Sequence, residues 1–153
     1  MKQRPRRTPR LQLAVVDRGR PRTPRAFVAR VVRTTLAFAR RPGLPVSLLL
    51  TDDAEMATLH GAWLDDATPT DVMSFSIDGE AELVVSVTTA RAVAKRLGHA
   101  VRAEVALYIV HGLLHVLGFD DTTKSARLRM RAAERAVMQR LALVVTPVDA
   151  RAS

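Results

Sequence analysis

The sequence predicts an α+β domain, a mixed four-stranded sheet packed with about five helices and carrying a metal site on its central helix. Four short runs, "LQLAVV" (11–16), "VSLLLT" (46–51), "VMSFSI" (72–77) and "LVVSV" (83–87), have the length and β-rich composition of strands. Segments with helical spacing separate the first three, and three more helical segments follow the fourth without a break. "DGE" (78–80) makes a turn between the third run and the fourth, and so short a connection predicts an antiparallel hairpin. The resulting order is β-α-β-α-β-β-α-α-α.

Each element has its own signal. Residues 1–10 hold two prolines and five basic side chains and read as a flexible basic arm. The body of the domain spans 11–142, and 143–153 form a C-terminal tail. After the first strand, Phe27, Val28, Val31, Val32, Leu36 and Phe38 fall at helical spacing with arginines opposite, and Pro42 and Gly43 stop the helix. "DDAEMATLHGAWL" reads as a helix capped by Asp52 or Asp53 and weakened at its end by Gly61. "DDATPTD" is a loop by composition. Thr88 or Thr89 caps a helix that runs to Leu97 and closes at Gly98. A second helix spans about Ala100 to Leu117 and ends at Gly118; a third spans about Thr122 to Leu141. Pro147 ends order. Trp63 and Tyr108 are expected in the core, and His60 and His99 have no evident partner.

Composition narrows the function. The 153 residues fit one domain, and 48% hydrophobic content supports a core that, with 4% aromatics, is mainly Leu, Val and Ala. No apolar run approaches the ~20 residues of a membrane span. Without cysteine, disulfides and thiolate metal sites are excluded, so any metal must use His, Asp or Glu. A cytoplasmic location is expected. "MKQRPRRTPR" is followed by too short an apolar segment for a secretory signal. The net charge of +9 is concentrated in residues 1–25, where nine Lys and Arg face one acid, Asp17. Such a cluster suits phosphate, with nucleic acid the usual partner; a merely solvated tail is the alternative.

The chemistry centres on "HGLLHVLGFDD" (111–121). From Val105 to Leu117 apolar residues occupy every side of the helix, which makes it central and buried. His111 and His115 are its strongly polar side chains, and at ~100° per residue they share one face. Each could be satisfied by a carbonyl or a nearby acid. The i, i+4 pair is also the spacing by which a helix presents two nitrogens to one metal ion. Gly112 stands where zinc proteases carry their glutamate base, which argues against that class; it marks either close packing or the approach of substrate. Gly118 turns the chain so that Asp120 or Asp121 can return beside the histidines as a third ligand.

These residues resemble the signature H-G-x-L-H-L-x-G-Y-D-H of the YbeY family, bacterial endoribonucleases of ribosomal RNA maturation and ribosome quality control. "PTDVMSF" (69–75) resembles that family's P-T-[DN]-V-L-S-F, "AELVVS" (81–86) its G-D-I-V-I-S strand, and "MRAAE" (130–134) its downstream Met and Glu. The resemblance covers roughly residues 10–142. It implies a divalent metal, expected to be zinc, held by His111, His115 and Asp121, the last standing where the family has a third histidine. The harder carboxylate makes manganese, iron or nickel less foreign to the site. It implies RNA as substrate (16S ribosomal RNA or the small ribosomal subunit), with ribosomal proteins as further partners and no membrane. Asp71 and Glu82 become candidates for substrate handling or support of the ligands, and Arg4, Arg6, Arg7 and Arg10 for contact with the RNA backbone.

Some positions depart from the family. Leu64 replaces an arginine linked to RNA processing, His60 replaces an asparagine, and Ala81-Glu82 replaces Gly-Asp. Either other basic groups such as the N-terminal arginines compensate, or catalysis is weakened and the protein is a non-catalytic ribosome-binding or rRNA-binding maturation factor with a structural metal. A metallohydrolase of peptides or small esters is a third reading.

Overall fold

The structure, a computed structural model, describes residues 6, 7, 9–64 and 71–146. The expected element order is present: β1 (Leu13–Asp17), α1 (Arg25–Phe38), β2 (Val46–Thr51), α2 (Asp53–Leu64), β3 (Val72–Ile77), β4 (Glu80–Ser86), α3 (Val87–Leu97), α4 (Val101–Val116) and α5 (Lys124–Arg140). The four strands form one mixed sheet in the order β1-β2-β4-β3. β1, β2 and β4 are parallel, and β3 runs antiparallel to β4 as an edge strand.

Several boundaries differ from the sequence reading, each for a local reason. β4 starts at Glu80 rather than Leu83, because Asp78 (φ 51°) and Gly79 (φ 77°) make a two-residue hairpin turn that pairs Ile77 with Glu80. Turn geometry, not hydrophobicity, sets that register. α3 is capped by Ser86, whose Oγ accepts from the Thr89 N–H at 3.1 Å, so neither Thr88 nor Thr89 is the cap. Strand passes to helix with no residue between them. Asp52 caps α2, its Oδ1 accepting from the Glu55 N–H at 2.8 Å, and α2 continues through Gly61 to Leu64. The side chains of Trp63 and Leu64, the loop 65–70, Arg4 and Pro147 lie outside the described residues.

The sheet's alternation separates two layers. Val46, Leu48 and Leu50 of β2, with Ala81, Leu83 and Val85 of β4, join the main core with α1, α3, α4 and α5. The opposite face carries Leu49, Met73, Phe75 and Val84, partly covered by Met56 and Leu59 of α2. α4 is the axis of the main layer and touches β3, β4, α1, α3 and α5. Its Val105, Ile109, Val110, Leu113 and Leu114 are wholly buried. At ~1.5–3 kcal/mol per buried side chain, these five fix the helix that carries the histidines. Tyr108 is buried as expected. His99 does have partners: its Nε2 lies 2.6 Å from Glu104 Oε2, and its Nδ1 accepts from the Thr146 N–H at 3.3 Å. The start of the tail is thereby tied down, and Leu143 and Val145 pack on the core.

Candidate metal centre

The site is built where α4 crosses β3. At Gly112 a Cβ would stand 2.8 Å from Leu83 Cδ2 and 3.0 Å from Val72 Cγ2, so only glycine lets the helix lie this close to the sheet. Close packing accounts for the residue. His111, the residue before that contact, and His115, three residues after it, project to the same side, into a cleft between α4, the edge strand and α5. Both imidazoles keep 29% of their side-chain surface, open enough for a ligand to reach them.

Three side-chain atoms converge there. His111 Nε2 and His115 Nε2 are 3.1 Å apart, His115 Nε2 and Asp121 Oδ2 are 3.2 Å apart, and His111 Nε2 and Asp121 Oδ2 are 3.9 Å apart. Among the described residues this is the group of acids and imidazoles that could hold a metal ion. Two ligands at ~2.0–2.1 Å from a tetrahedral zinc stand about 3.4 Å from each other, so the triangle has the right size.

The turn after α4 delivers the carboxylate. Gly118 takes φ 103°, and the Phe119 N–H donates to the Leu114 carbonyl at 2.9 Å, closing the helix. Asp120 and Asp121 then divide the work. Asp120 Oδ1 accepts from the Asp121 N–H at 2.7 Å, and its Oδ2 accepts from the Thr122 hydroxyl at 2.6 Å. These hydrogen bonds, that of Thr122 first, hold the Asp120 carboxyl below its ordinary range. Asp120 shapes the turn, while the Asp121 side chain turns toward the histidines.

Glu134 of α5 completes the arrangement. Its Oε1 lies 2.5 Å from His111 Nδ1, so Nδ1 carries the proton and Nε2 keeps its lone pair for a ligand. A bare His111 Nε2 facing the His115 Nε2 and the Asp121 carboxylate is satisfied either by a hydrogen on His115 Nε2 or by a metal ion between the three. Burial by itself would lower the His111 pKa. The hydrogen bond and charge of Glu134, helped by Asp71 and Asp121, outweigh burial and raise it above the ordinary 6.5. Sequence reasoning placed Glu134 in a motif without giving it a role. Its signal was an acid among Met130, Ala133, Val137 and Met138 on the apolar face of α5.

The model of the family described as Endoribonuclease YbeY matches residues 20–142. The chain belongs to the YbeY family. It is 36% identical over 111 residues to the Endoribonuclease YbeY of Acidothermus cellulolyticus, covering 61% of this chain and 68% of that protein. With the relative from Kineococcus radiotolerans it shares 36% over 123 residues, 71% of each chain. The solution structure of TM1509 from Thermotoga maritima has the same fold, with a TM-score of 0.62 at 17% identity, over 86% of this chain and 92% of that one.

Other YbeY-motif positions fall on different surfaces. Asp71 lines the cleft beside His111; its Oδ1 accepts from the Val72 N–H at 2.8 Å, and its carbonyl accepts from the Ser86 N–H at 2.9 Å. Ser74 and Ser76 also face the cleft. Glu82 is not brought there. It alternates with Leu83, which faces Gly112, and so lines a groove on the far side of the sheet with Phe75 and Ile77. Ser86 serves inside the fold, donating to Asp53, which also accepts from the Thr89 hydroxyl at 2.6 Å. Arg6, Arg7 and Arg10 are exposed and precede β1, at the sheet edge opposite β3. Among the described residues no helix is long and apolar enough to cross a membrane.

Proposed function

We propose that this protein is a metal-dependent endoribonuclease acting in ribosomal RNA maturation and ribosome quality control, in the cytoplasm, on 16S ribosomal RNA or the small ribosomal subunit. The observation that carries this reading is the convergence of His111 Nε2, His115 Nε2 and Asp121 Oδ2 in an open cleft, with Glu134 fixing the His111 tautomer. Family membership supports RNA as the substrate, since the relatives are named endoribonucleases.

The donor set fits one divalent ion, with zinc as the expected metal and His111, His115 and Asp121 as its ligands. Bound there, such an ion supplies Lewis acidity toward a phosphate oxygen and toward water. Glu134 keeps the proton on His111 Nδ1 and orients the ring. Asp71, exposed at the cleft wall, is positioned to accept a proton or hydrogen bond from an incoming nucleophile. Three ligands among the described residues, beside an open cleft, match a site that takes substrate, whereas structural zinc sites are closed by a fourth ligand. That difference favours catalysis over the non-catalytic alternative raised by Leu64.

The test compares RNA cleavage by the purified wild-type protein, the same protein after chelation, and His111→Ala. Cleavage by the first sample alone, restored by adding back metal, is expected. Equal cleavage in all three would overturn the proposal, and ribosome binding without cleavage would favour the non-catalytic reading.

A further inference from the structure

The cleft beside the candidate metal centre has a basic wall. Arg127 and Arg131 of α5 line it together with His111, Asp121 and Glu134. Arg131 and Arg135 continue into an adjoining cleft formed with Leu143 to Thr146. Positions 127, 131 and 135 repeat every four residues and so form one stripe along the helix. Each step advances it by about 6 Å, the order of the distance between successive phosphates on an extended single strand. Arg127 reaches only the Asp121 carbonyl, at 3.4 Å. Arg131 and Arg135 make no hydrogen bond or ion pair with any described residue. Arg127 and Arg135 are exposed, whereas Arg131, half-buried beside Asp71, Asp121 and Glu134 and without a partner among the described residues, is poorly explained by fold stability. It is well placed for an anionic group brought by a ligand.

We propose that Arg127, Arg131 and Arg135 form a track that holds consecutive RNA phosphates leading away from the metal centre. This rests on the endoribonuclease reading above. The N-terminal arginines are worse placed for the task. They enter at β1, three strand spacings of ~4.8 Å from β3, hence about 14 Å across the sheet from the edge where the cleft lies. The α5 arginines need no such reach. They touch phosphates flanking the reacting one, which makes them positioning residues that bind substrate and transition state alike.

The experiment uses the full chain with metal and a single-stranded oligoribonucleotide. It compares wild type, Arg131→Ala/Arg135→Ala, the lysine pair Arg131→Lys/Arg135→Lys, and a charge-matched control on α3, Lys95→Ala/Arg96→Ala, which lines neither cleft. Each single-strand phosphate contact contributes about 0.7 to the salt slope, so the alanine pair should lose about 1.4. Between about 50 and 200 mM salt, its affinity should therefore fall roughly 7-fold less than that of wild type. KM should rise with kcat unchanged, and the lysine pair should restore the slope. A slope and KM for the alanine pair equal to those of the α3 control would overturn the track. Binding is read separately from cleavage. A wild type that binds with the expected slope difference but never cleaves refutes the enzymatic reading and leaves the track standing. Cleavage with no slope difference does the reverse.

Discussion

Glu134→Gln isolates the support of the metal ligand from the ligand itself. The substitution keeps the side chain's volume and its oxygen, so the buried position on α5 stays filled and hydrogen-bonded. What it removes is the negative charge 2.5 Å from His111 Nδ1. Supporting carboxylates of this kind are worth about 10–100-fold in metal affinity, or roughly 1.4–2.7 kcal/mol. The same change should register in the metal-free protein. Glu134 is the largest contributor raising the His111 pKa, and burial opposes it. Without that charge the imidazole should lose its proton at a lower pH. Zinc affinity by competition with a chelating dye, and the His111 ring resonances followed through a pH titration, give two independent readings. Wild-type zinc affinity together with an unmoved His111 titration would refute the role assigned to Glu134.

Three further outcomes are expected. Metal-free and zinc-loaded protein should show opposite pH trends in Tm. A folded-state His111 pKa above 6.5 contributes stability that is fully present below the unfolded value and lost as pH rises through the folded one. Zinc requires deprotonated imidazoles, so its added stabilisation should grow over the same interval; parallel trends would contradict this. Asp121→Ala should weaken zinc by more than the ~10–100-fold of a supporting residue, while Asp120→Ala loosens the turn and leaves zinc affinity at the wild-type level. Equal losses would show that Asp120 shares the ligand role. Gly112→Val should destabilise the fold by about 1–3 kcal/mol through overpacking against Leu83 and Val72, measured by chemical denaturation. An unchanged midpoint would mean α4 can move off the sheet freely.

Much of this molecule was legible in its sequence, and the exceptions share a cause. β2 and β3 fall at the expected residues because each apolar run is framed by turn formers. The histidine pair was legible because two polar rings on a buried helix need a common explanation. What sequence did not give was anything decided by a partner strand or helix. Glu80 reads as part of a turn, and the apolar run alone starts only at Leu83, until the two-residue hairpin pairs Glu80, Ala81 and Glu82 with β3. Ser86 was passed over as a cap because the Thr-Thr pair after it is the stronger local signal, yet the strand ends directly on the helix. Glu82 matched a motif, but strand parity sends it to the other face of the sheet from the histidines. Glu134 and Arg131 gained meaning only once α5 folded back along α4 and set them beside His111. The choice between Asp120 and Asp121 depended on backbone hydrogen bonds that no pattern of residue types encodes.

The most direct test of the metal centre is anomalous scattering from a crystal of the zinc-loaded protein, with data collected on both sides of the zinc edge. The expected result is one peak about 2.0–2.2 Å from His111 Nε2, His115 Nε2 and an Asp121 carboxylate oxygen. A peak held through Asp120, or a cleft with no peak at full zinc occupancy in solution, would contradict it.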